Sequence, residues 1–414
     1  MRMFRKVLGF GALPVLLSLS PLLLLPVIAR LEGPSGWAAF VVGQSVGNFC
    51  LTAQNFGWNI SGPPRIAMLP DLESRLSAFA DVFWAKALIF PLVILAGLSA
   101  TAALTPMPEW GVSLPIFFAT SVIGFGTQWF GVGTGSPTLI ARFEVLPRIG
   151  ATLLALPAIL LTSQVWIYPA LLVFAMVVSR GSFNVKHYRS ILPARRSVRN
   201  SIAELQRNSA TAVVDMTTNL YNSAPVPIAS ALLPIVSVAG FASGDRLYRY
   251  SLFPLAAIGD SLQAWVLDPT SKVLQRRQLI GIGANMVFGV SAGLVLALLG
   301  PFFTSVLFGE AVKSSPEIMV WYGVCVAAVA TSAPLIRNIL IPAGKARLVL
   351  LATVVGAIVG LALMLVITRF LGAAGLALAL AVSETIVLLI VAPAAITTLR
   401  RKVQEGSVDA ISES

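Results

Sequence analysis

Charged residues are scarce in this sequence, and so are the residue types that most often bind metals. Only 11% of the 414 residues are charged, whereas a soluble domain usually has about 25%. There are two cysteines and one histidine. Cys50 and Cys325 lie in apolar runs without the spacing of metal ligands, and His187 stands alone. This composition argues against a soluble globular domain, a disulfide framework and a Cys/His metal site.

Catalytic and nucleotide-binding motifs are also missing. No pair of carboxylates stands at the edge of an apolar run, and no phosphate-binding loop is present. The glycine-rich run 131–135 follows an apolar helix instead of a strand, which is the wrong context for a nucleotide site. We therefore expect no enzyme activity, no catalytic residues, no metal site and no bound cofactor.

Long apolar runs make up most of the chain. Hydrophobic residues account for 57% of it, and the runs are long enough to cross about 30 Å of hydrocarbon as helices. The sequence predicts an all-α polytopic membrane protein, with about twelve transmembrane helices in two six-helix lobes around a central cavity. The predicted spans are 8–29, 37–60, 82–104, 112–131, 146–163, 165–179, 211–234, 244–266, 279–299, 318–340, 348–368 and 373–396. Pro225 and Pro227 predict a kink in the seventh span.

A basic stretch at 180–207 divides the apolar chain into two similar halves. It carries seven of the 29 lysines and arginines and one acid, Glu204. A short basic helix on the membrane surface would fit residues 195–206. The predicted domains are an N-terminal six-helix lobe over 1–180, a basic cytoplasmic linker over 181–209, a C-terminal six-helix lobe over 210–400 and a disordered cytoplasmic tail over 401–414.

Basic residues are strongly biased to one side of the predicted spans. With the N-terminus in the cytoplasm, 24 of the 29 lysines and arginines fall on the cytoplasmic side. The other five are Arg30, Arg246, Arg249, Lys313 and Arg369. The positive-inside rule then predicts that both termini are cytoplasmic and that the first apolar run is a retained helix instead of a cleaved signal peptide. Topology explains the net charge of +12, so we expect no nucleic-acid partner.

Polar residues inside three of the spans fall on stripes about 100° wide at 100° per residue. The stripes are Gln44, Ser45, Asn48, Thr52, Asn55 and Asn59 on the second span; Thr211, Asp215, Thr218, Asn219 and Asn222 on the seventh; and Arg246, Arg249, Asp260 and Gln263 on the eighth. Hydrogen bonding between helices would explain any single Thr or Asn. For the charged residues a hydrated cavity is the better explanation, because an unpaired charge in lipid is costly.

These stripes supply two sets of candidate site residues. The substrate-binding set is Arg246, Arg249, Asp260, Gln263, Asn48, Gln44 and Asn55. The ion-coupling set is Asp215, Asn219, Asn222 and, on the twelfth span, Glu384. Arg249 and Asp260 stand about 16 Å apart along one helix, so each needs a different partner. An ion pair with the basic stretch is the alternative interpretation of Asp215.

Several segments of the chain match, in order, a pattern known from one family. They are 56–67 (FGWNISGPPRIA), 128–131 (QWFG), 240–248 (GFASGDRLY), 341–347 (IPAGKAR), 372–377 (GAAGLA) and the pair Ser383 and Glu384. Together they resemble bacterial polysaccharide flippases of the O-antigen-exporter type. The resemblance implies a two-lobe transporter of the multidrug/oligosaccharidyl-lipid/polysaccharide exporter superfamily, located in the bacterial plasma membrane.

The same resemblance implies a substrate. It is an undecaprenyl-pyrophosphate-linked oligosaccharide, which would move from the cytoplasmic to the outer leaflet by alternating access. Arginines in a hydrated cavity suit a pyrophosphate group. The expected partners are membrane lipid, the lipid-linked glycan and polysaccharide-assembly proteins. Since no ATP-binding element is present, we expect coupling to Na⁺ or H⁺.

Three alternatives stay open. A multidrug or small-solute cation antiporter of the same superfamily would need acids to dominate the cavity. A membrane-embedded glycosyltransferase or polymerase would need a large external loop with catalytic charges. A non-transporting scaffold would recruit its partners through the basic stretch.

Overall fold

The described part of the chain is helical. The structure is a computed structural model that describes the backbone over 20–266 and 274–412 and the side chains over 21–217, 219, 221–255, 258 and 276–399. Within these ranges there are helices and short 3₁₀ turns, and no strand. Seven helices among the described residues are long and apolar enough to cross a membrane. The predicted all-α polytopic membrane architecture is therefore confirmed.

Thirteen helices organise the described chain, and we number them in chain order. They are α1 Leu25–Asn55, α2 Trp58–Met68, α3 Leu72–Leu104, α4 Trp110–Val122, α5 Gln128–Gly133, α6 Pro137–Thr162, α7 Ile167–Tyr188, α8 Val198–Ser223, α9 Pro225–Leu232, α10 Ile235–Val266, α11 Leu274–Phe308, α12 Pro316–Leu340 and α13 Ala346–Ser412. Two of them contain a π-helical turn, Ala141–Val145 in α6 and Ile336–Leu340 in α12.

Glycines with a left-handed backbone bend two of the helices. α1 bends at Gly33 (φ 65°) and α13 at Gly372 (φ 57°). A residue with a Cβ rarely adopts this left-handed conformation, whereas glycine does so at little cost. The predicted spans 348–368 and 373–396 lie on either side of Gly372. The predicted span 8–29 begins outside the described residues.

Local signals displace several helix ends from their predicted positions. α3 begins ten residues earlier than predicted, because Asp71 caps it by accepting a 2.7 Å hydrogen bond from the Ser74 N–H. α7 continues to Tyr188 and ends at the left-handed Arg189. α8 joins the predicted surface helix and the first part of the seventh span into one helix. The predicted kink is confirmed as a break before Pro225.

Contacts divide the chain into two units, 1–231 and 232–414. An aromatic core in the first unit includes Trp58, Phe79, Trp129, Phe130, Phe143 and Phe183. An aliphatic core in the second includes Leu335, Ile339, Leu340, Val387 and Val391. By these contacts α8 belongs with the first unit. The functional lobes 1–180 and 210–400 stay a prediction.

The last helix continues to Ser412, which differs from the disordered tail expected over 401–414. The segment after Arg401 contains no proline, and its Lys, Gln, Glu and Ala residues favour helix. Nothing in its local sequence therefore stops α13 at the predicted membrane boundary.

Candidate functional site

A membrane helix of the first unit is interrupted in its middle. α4 ends at Val122, a 3₁₀ turn covers Ile123–Phe125, and α5 begins at Gln128. The three pieces together form one predicted span, within Met107–Gly133. A break of this kind exposes carbonyl oxygens on one side and N–H groups on the other, and inside a membrane the protein must satisfy both.

A lysine satisfies the carbonyl side of the break. Lys86 on α3 is 2% exposed, and its Nζ donates hydrogen bonds to the Gly124 carbonyl oxygen (2.7 Å) and to Asn55 Oδ1 (2.8 Å). The same Nζ lies 5.9 Å from the centre of the Trp58 ring, within the range of a cation–π interaction. A cation is favoured at this position because the C-terminal end of a helix carries partial negative charge.

A glutamate satisfies the N–H side. Glu144 is fully buried in the π-helical turn of α6, and it accepts hydrogen bonds from the N–H and from Oγ1 (3.1 Å) of Thr127. Arg180 Nη2 lies 2.6 Å from Glu144 Oε1, and Arg148 Nη2 lies 3.3 Å from its Oε2. Arg180 also donates to the carbonyl oxygen of Phe143. A positive and a negative side chain thus lie on the two sides of the break in the helix.

A sharp corner brings α8 to the same region. Phe56 (φ 46°) and Gly57 (φ 78°) are both left-handed and join α1 to α2. A Cβ at Gly57 would lie 2.6 Å from the Thr211 backbone, so this close approach requires glycine. Asp215 on α8 lies beside this corner, close enough to the Gly57 N–H to interact with it electrostatically, and accepts a 3.0 Å hydrogen bond from Asn219 Nδ2.

Two buried polar groups in this region have unused hydrogen-bonding capacity. Asp215 Oδ2 and both amide atoms of Gln54 have no hydrogen-bond partner among the described residues. Gln54 is fully buried beside Gly124, where an added Cβ would lie 2.4 Å from its Oε1. We call the group the broken-helix cluster; its members are Gln54, Asn55, Lys86, Glu144, Arg180 and Asp215.

The helix that leaves the basic stretch is anchored to α2. Glu204 on α8 is buried, and it accepts hydrogen bonds from Trp58 Nε1 (3.2 Å), Arg65 Nη1 (2.5 Å) and Arg207. One turn further, Asn208 Oδ1 accepts a 2.6 Å hydrogen bond from the Ser61 hydroxyl. The only acid of the basic stretch therefore neutralises arginines at the point where α8 packs on the first unit.

A second polar cluster lies in the second unit. Arg249 Nε donates to Asp245 Oδ2 at 2.7 Å, and the Tyr322 hydroxyl lies 3.5 Å from Asp245 Oδ1. The rings of Tyr248 and Tyr322 stack with their centroids 4.8 Å apart. Cys325 Sγ donates to the Tyr248 hydroxyl at 3.2 Å. This cluster links α10 to α12.

The structure brings together part of each predicted site. In the ion-coupling set, Asp215 and Asn219 are hydrogen-bonded to each other, and Asn222 is exposed. Glu384 lies in the second unit, close enough to Tyr248 to act on it electrostatically. In the substrate set, Asn55 binds Lys86, Gln44 is half-buried and Asn48 is exposed. Arg246 and Arg249 lie in the second unit. The side chains of Asp260 and Gln263 lie outside the described residues. These functional roles stay predictions.

Four charged residues of the clusters were missing from the predicted sites. The count of basic residues places Lys86 on the cytoplasmic side, and Arg180 falls in the basic stretch. In the structure, the Lys86 side chain is buried and the Arg180 side chain is nearly buried, each among polar partners. Glu144 and Asp245 were not singled out. A spacing of four residues from Glu144 to Arg148 and from Asp245 to Arg249 is the signal that could have found them, since i,i+4 side chains share a helix face.

Comparisons with solved structures concern the fold. No protein-family model matches the chain, and no curated protein matches it. The lipid II flippase MurJ in an inward closed conformation aligns with a TM-score of 0.66 at 11% identity, over 94% of this chain and 86% of MurJ. An inward-facing multidrug resistance MATE family transporter of the MOP superfamily aligns at 0.59 and 13% identity, over 92% and 95%. The chain has the MATE-like fold.

The MATE multidrug transporter DinF-BH also shares this fold. It aligns with a TM-score of 0.51 at 14% identity, over 95% of both chains. These likenesses concern the fold, and the expected superfamily and the specific polysaccharide-flippase family stay predictions. Discontinuous helices in membranes expose backbone groups that can bind ligands, and in the described first unit the broken-helix cluster surrounds such a break.

Proposed function

We propose that this chain is a flippase that translocates an undecaprenyl-pyrophosphate-linked oligosaccharide across the bacterial inner membrane by alternating access. Both termini would be cytoplasmic, a Na⁺ or H⁺ gradient would drive the step, and polysaccharide-assembly proteins would act beside it. The observation that carries the proposal is the likeness to MurJ, a lipid II flippase, over 94% of this chain. The order of the flippase-like segments along the sequence supports the choice of an oligosaccharide substrate.

Charge balance also supports an anionic substrate. The broken-helix cluster is balanced in charge, and Arg148, which pairs with its Glu144, adds a third cation to Lys86 and Arg180 against the acids Glu144 and Asp215. Arginine and lysine are the side chains that bind pyrophosphate, whereas a cation exporter needs acids in excess. The positive balance therefore favours the lipid-linked glycan over a cationic drug.

A reconstituted assay tests the proposal. The purified protein is placed in liposomes that contain a fluorescent undecaprenyl-pyrophosphate-linked glycan, and a membrane-impermeant quencher reports the fraction in the outer leaflet. We expect rapid, protein-dependent exchange of this lipid between leaflets. Fluorescent phosphatidylcholine is the control and should exchange no faster than in empty liposomes. Equal exchange of both lipids, or of neither, would refute the proposal.

A multidrug cation antiporter is the second candidate. It is supported by the likeness to MATE multidrug transporters at TM-scores of 0.59 and 0.51. Asp215 Oδ2, which has no hydrogen-bond partner within the described part of the chain, is a carboxylate oxygen of the kind that binds organic cations. The same vesicles, loaded with a cationic dye and given a pH or Na⁺ gradient, should retain the dye under the first proposal. Gradient-driven dye efflux without glycan-lipid exchange would favour the antiporter.

A further inference from the structure

The surroundings of Lys86 resemble those of a bound metal cation. Its ammonium contacts a side-chain carboxamide oxygen of Asn55, at 2.8 Å, and the main-chain oxygen of Gly124, at 2.7 Å. Gly124 lies in the interrupted part of a membrane helix, where the carbonyl oxygen is released from the regular helical hydrogen bonding. Unwound carbonyls and the C-terminal ends of half-helices are the groups that coordinate monovalent cations in membrane transporters.

Two further polar side chains, Gln54 and Asp215, lie in the same part of the first unit. Gln54 precedes Asn55 in the chain and packs against Gly124, and its Oε1 has no partner among the described residues. Asp215 lies close enough to Lys86 to act on its charge, and its Oδ2 is likewise unpartnered within the described part of the chain. Asp215 and Lys86 also lie at the same corner, since Asp215 interacts electrostatically with the Gly57 N–H and Lys86 donates to Asn55. The oxygens in contact with the ammonium are therefore neutral, and an acid acts on its charge from a greater distance.

Two other charges act on Lys86, one from α6 and one from α7. They are Glu144 and Arg180, which are paired with each other at 2.6 Å. Because this pair is internally neutralised, Asp215 is the acid left to balance the Lys86 charge. A lysine in this environment is costly to bury, and hydrogen bonds to oxygen atoms are what offset that cost.

We propose that Lys86 is a tethered cation, whose ammonium occupies a monovalent-cation site formed by Asn55 Oδ1 and the Gly124 carbonyl oxygen, with Gln54 and Asp215 alongside. The first unit then needs no free Na⁺ at this position. A tethered ammonium changes its charge only by releasing a proton to water and becoming a neutral amine. The coupling ion of this unit is therefore H⁺. The site itself is independent of the proposed function, whereas the coupling step rests on it.

Removing the tether should create a Na⁺ site. In the variant Lys86→Met, Na⁺ should enter and stabilise the protein, because a ligand that binds the folded state raises its melting temperature. We expect a rise of about 3 °C between ~1 and ~150 mM Na⁺, and none with N-methylglucamine at the same ionic strength. The double variant Lys86→Met/Asp215→Asn should lose most of this rise. The wild type should show no response specific to Na⁺.

A matched lysine controls for the loss of a positive charge. Lys345 Nζ donates to Thr398 Oγ1 at 2.9 Å and lies at the start of α13, in the second unit. Lys345→Met should respond equally to Na⁺ and to N-methylglucamine. If folded Lys86→Met shows no greater response to Na⁺ than Lys345→Met, no cation site exists at Lys86 and the proposal is refuted.

The wild type keeps the proposal testable even if Lys86→Met does not fold. A Na⁺-specific rise in the wild-type melting temperature that disappears in Asp215→Asn would show that a free ion binds there, and it would overturn the tethered cation. Two results together would support the tethered cation. The wild type should show no such rise, and ethylammonium present during purification should rescue the folding of Lys86→Ala. Failure of both ethylammonium and Na⁺ to rescue folded Lys86→Ala would contradict a cation site at this position.

The coupling step has its own measurement. In the glycan-lipid assay, a pH gradient should accelerate exchange by the wild type at least about tenfold more than by Lys86→Met, while a Na⁺ gradient should have no effect on the wild type. A wild type driven by Na⁺ and indifferent to pH would refute coupling through Lys86. Absence of any flipping by the wild type would refute the proposed function and leave the stability result as it stands.

Discussion

Arg249 Nε donates a hydrogen bond of 2.7 Å to Asp245 Oδ2, one turn earlier on α10. The Asp245 side chain is only 3% exposed, whereas that of Arg249 is 35% exposed. Arg249 therefore neutralises a buried acid and still has accessible surface of its own. This geometry separates two roles for Arg249, as a structural counter-charge and as the predicted ligand of a pyrophosphate group, and variants can distinguish them.

Substitutions at this pair test the substrate role of Arg249. Arg249→Ala leaves Asp245 buried without its counter-charge, which should lower the free energy of unfolding by about 3–5 kcal/mol. The double variant Arg249→Ala/Asp245→Asn should recover most of that stability. If Arg249 binds the pyrophosphate, the stable double variant should still fail to exchange the glycan lipid. Arg249→Lys should retain part of the exchange, because lysine keeps the positive charge but lacks the two-pronged hydrogen bonding of a guanidinium. Normal exchange by the double variant would remove Arg249 from the substrate site.

The ion pairs of Glu144 should contribute strongly to stability. Glu144→Gln removes the negative charge that balances Arg180 and Arg148 inside the first unit, and we expect a loss of about 3 kcal/mol in the free energy of unfolding. Glu310→Gln is the matched control, because Glu310 pairs with Lys313 at an exposed position, 71% accessible. The control should change stability by less than about 0.5 kcal/mol. Chemical denaturation in detergent micelles measures both, and similar effects of the two variants would contradict a structural role for the buried network.

Asp215→Asn separates coupling from structure. The carboxylate accepts a hydrogen bond from Asn219, and an amide keeps one acceptor oxygen for this donor. We expect the variant to fold with moderately lowered thermal stability, because the buried Lys86 loses the acid that balances its charge, and to lose its response to an imposed ion gradient in the reconstituted assay. A large loss of thermal stability with intact gradient dependence would instead identify Asp215 as a purely structural partner.

Close packing of α11 on α12 depends on two facing glycines. A Cβ on Gly293 would lie 2.4 Å from the Gly323 carbonyl oxygen, so Gly293→Ala forces the helices apart and should cost about 1–3 kcal/mol. Gly283→Ala, on the same helix, is the control because its Cβ would meet no atom within 4 Å. That variant should be neutral or slightly stabilised, since alanine favours helix over glycine. Thermal stability assays compare them, and equal effects would rule out close packing at Gly293.

The predicted orientation is tested by cysteine labelling in intact cells. Ser197 is exposed just before α8, and Glu310 is exposed on the opposite predicted side. In a background that lacks Cys50 and Cys325, a cysteine at position 197 should resist an impermeant thiol reagent, whereas one at position 310 should react. The positive-inside rule is the reason, because the basic stretch should stay in the cytoplasm. The reverse labelling pattern would invert the topology.

The helical membrane architecture was predictable because its causes are local. Apolar runs require helices in a bilayer whatever surrounds them, since each backbone group must be satisfied within its own segment. For the same reason the kink before Pro225 was predictable from the proline itself. Helix ends were less accurate where a side chain decided them, as at Asp71, whose cap starts α3 ten residues before the predicted span.

The partners of the buried charges depended on the tertiary structure. Lys86 and Gly124 are 38 residues apart, Arg180 and Glu144 are 36 apart, and Trp58 and Glu204 are 146 apart. The sequence by itself determined the class of protein, the positions of most spans and the basic stretch. Only the packing of α3, α6, α7 and α8 around the interrupted helix decided which charges meet. Hydrogen bonds between distant segments depend on the relative placement of whole helices. A hydropathy pattern carries no information about that placement.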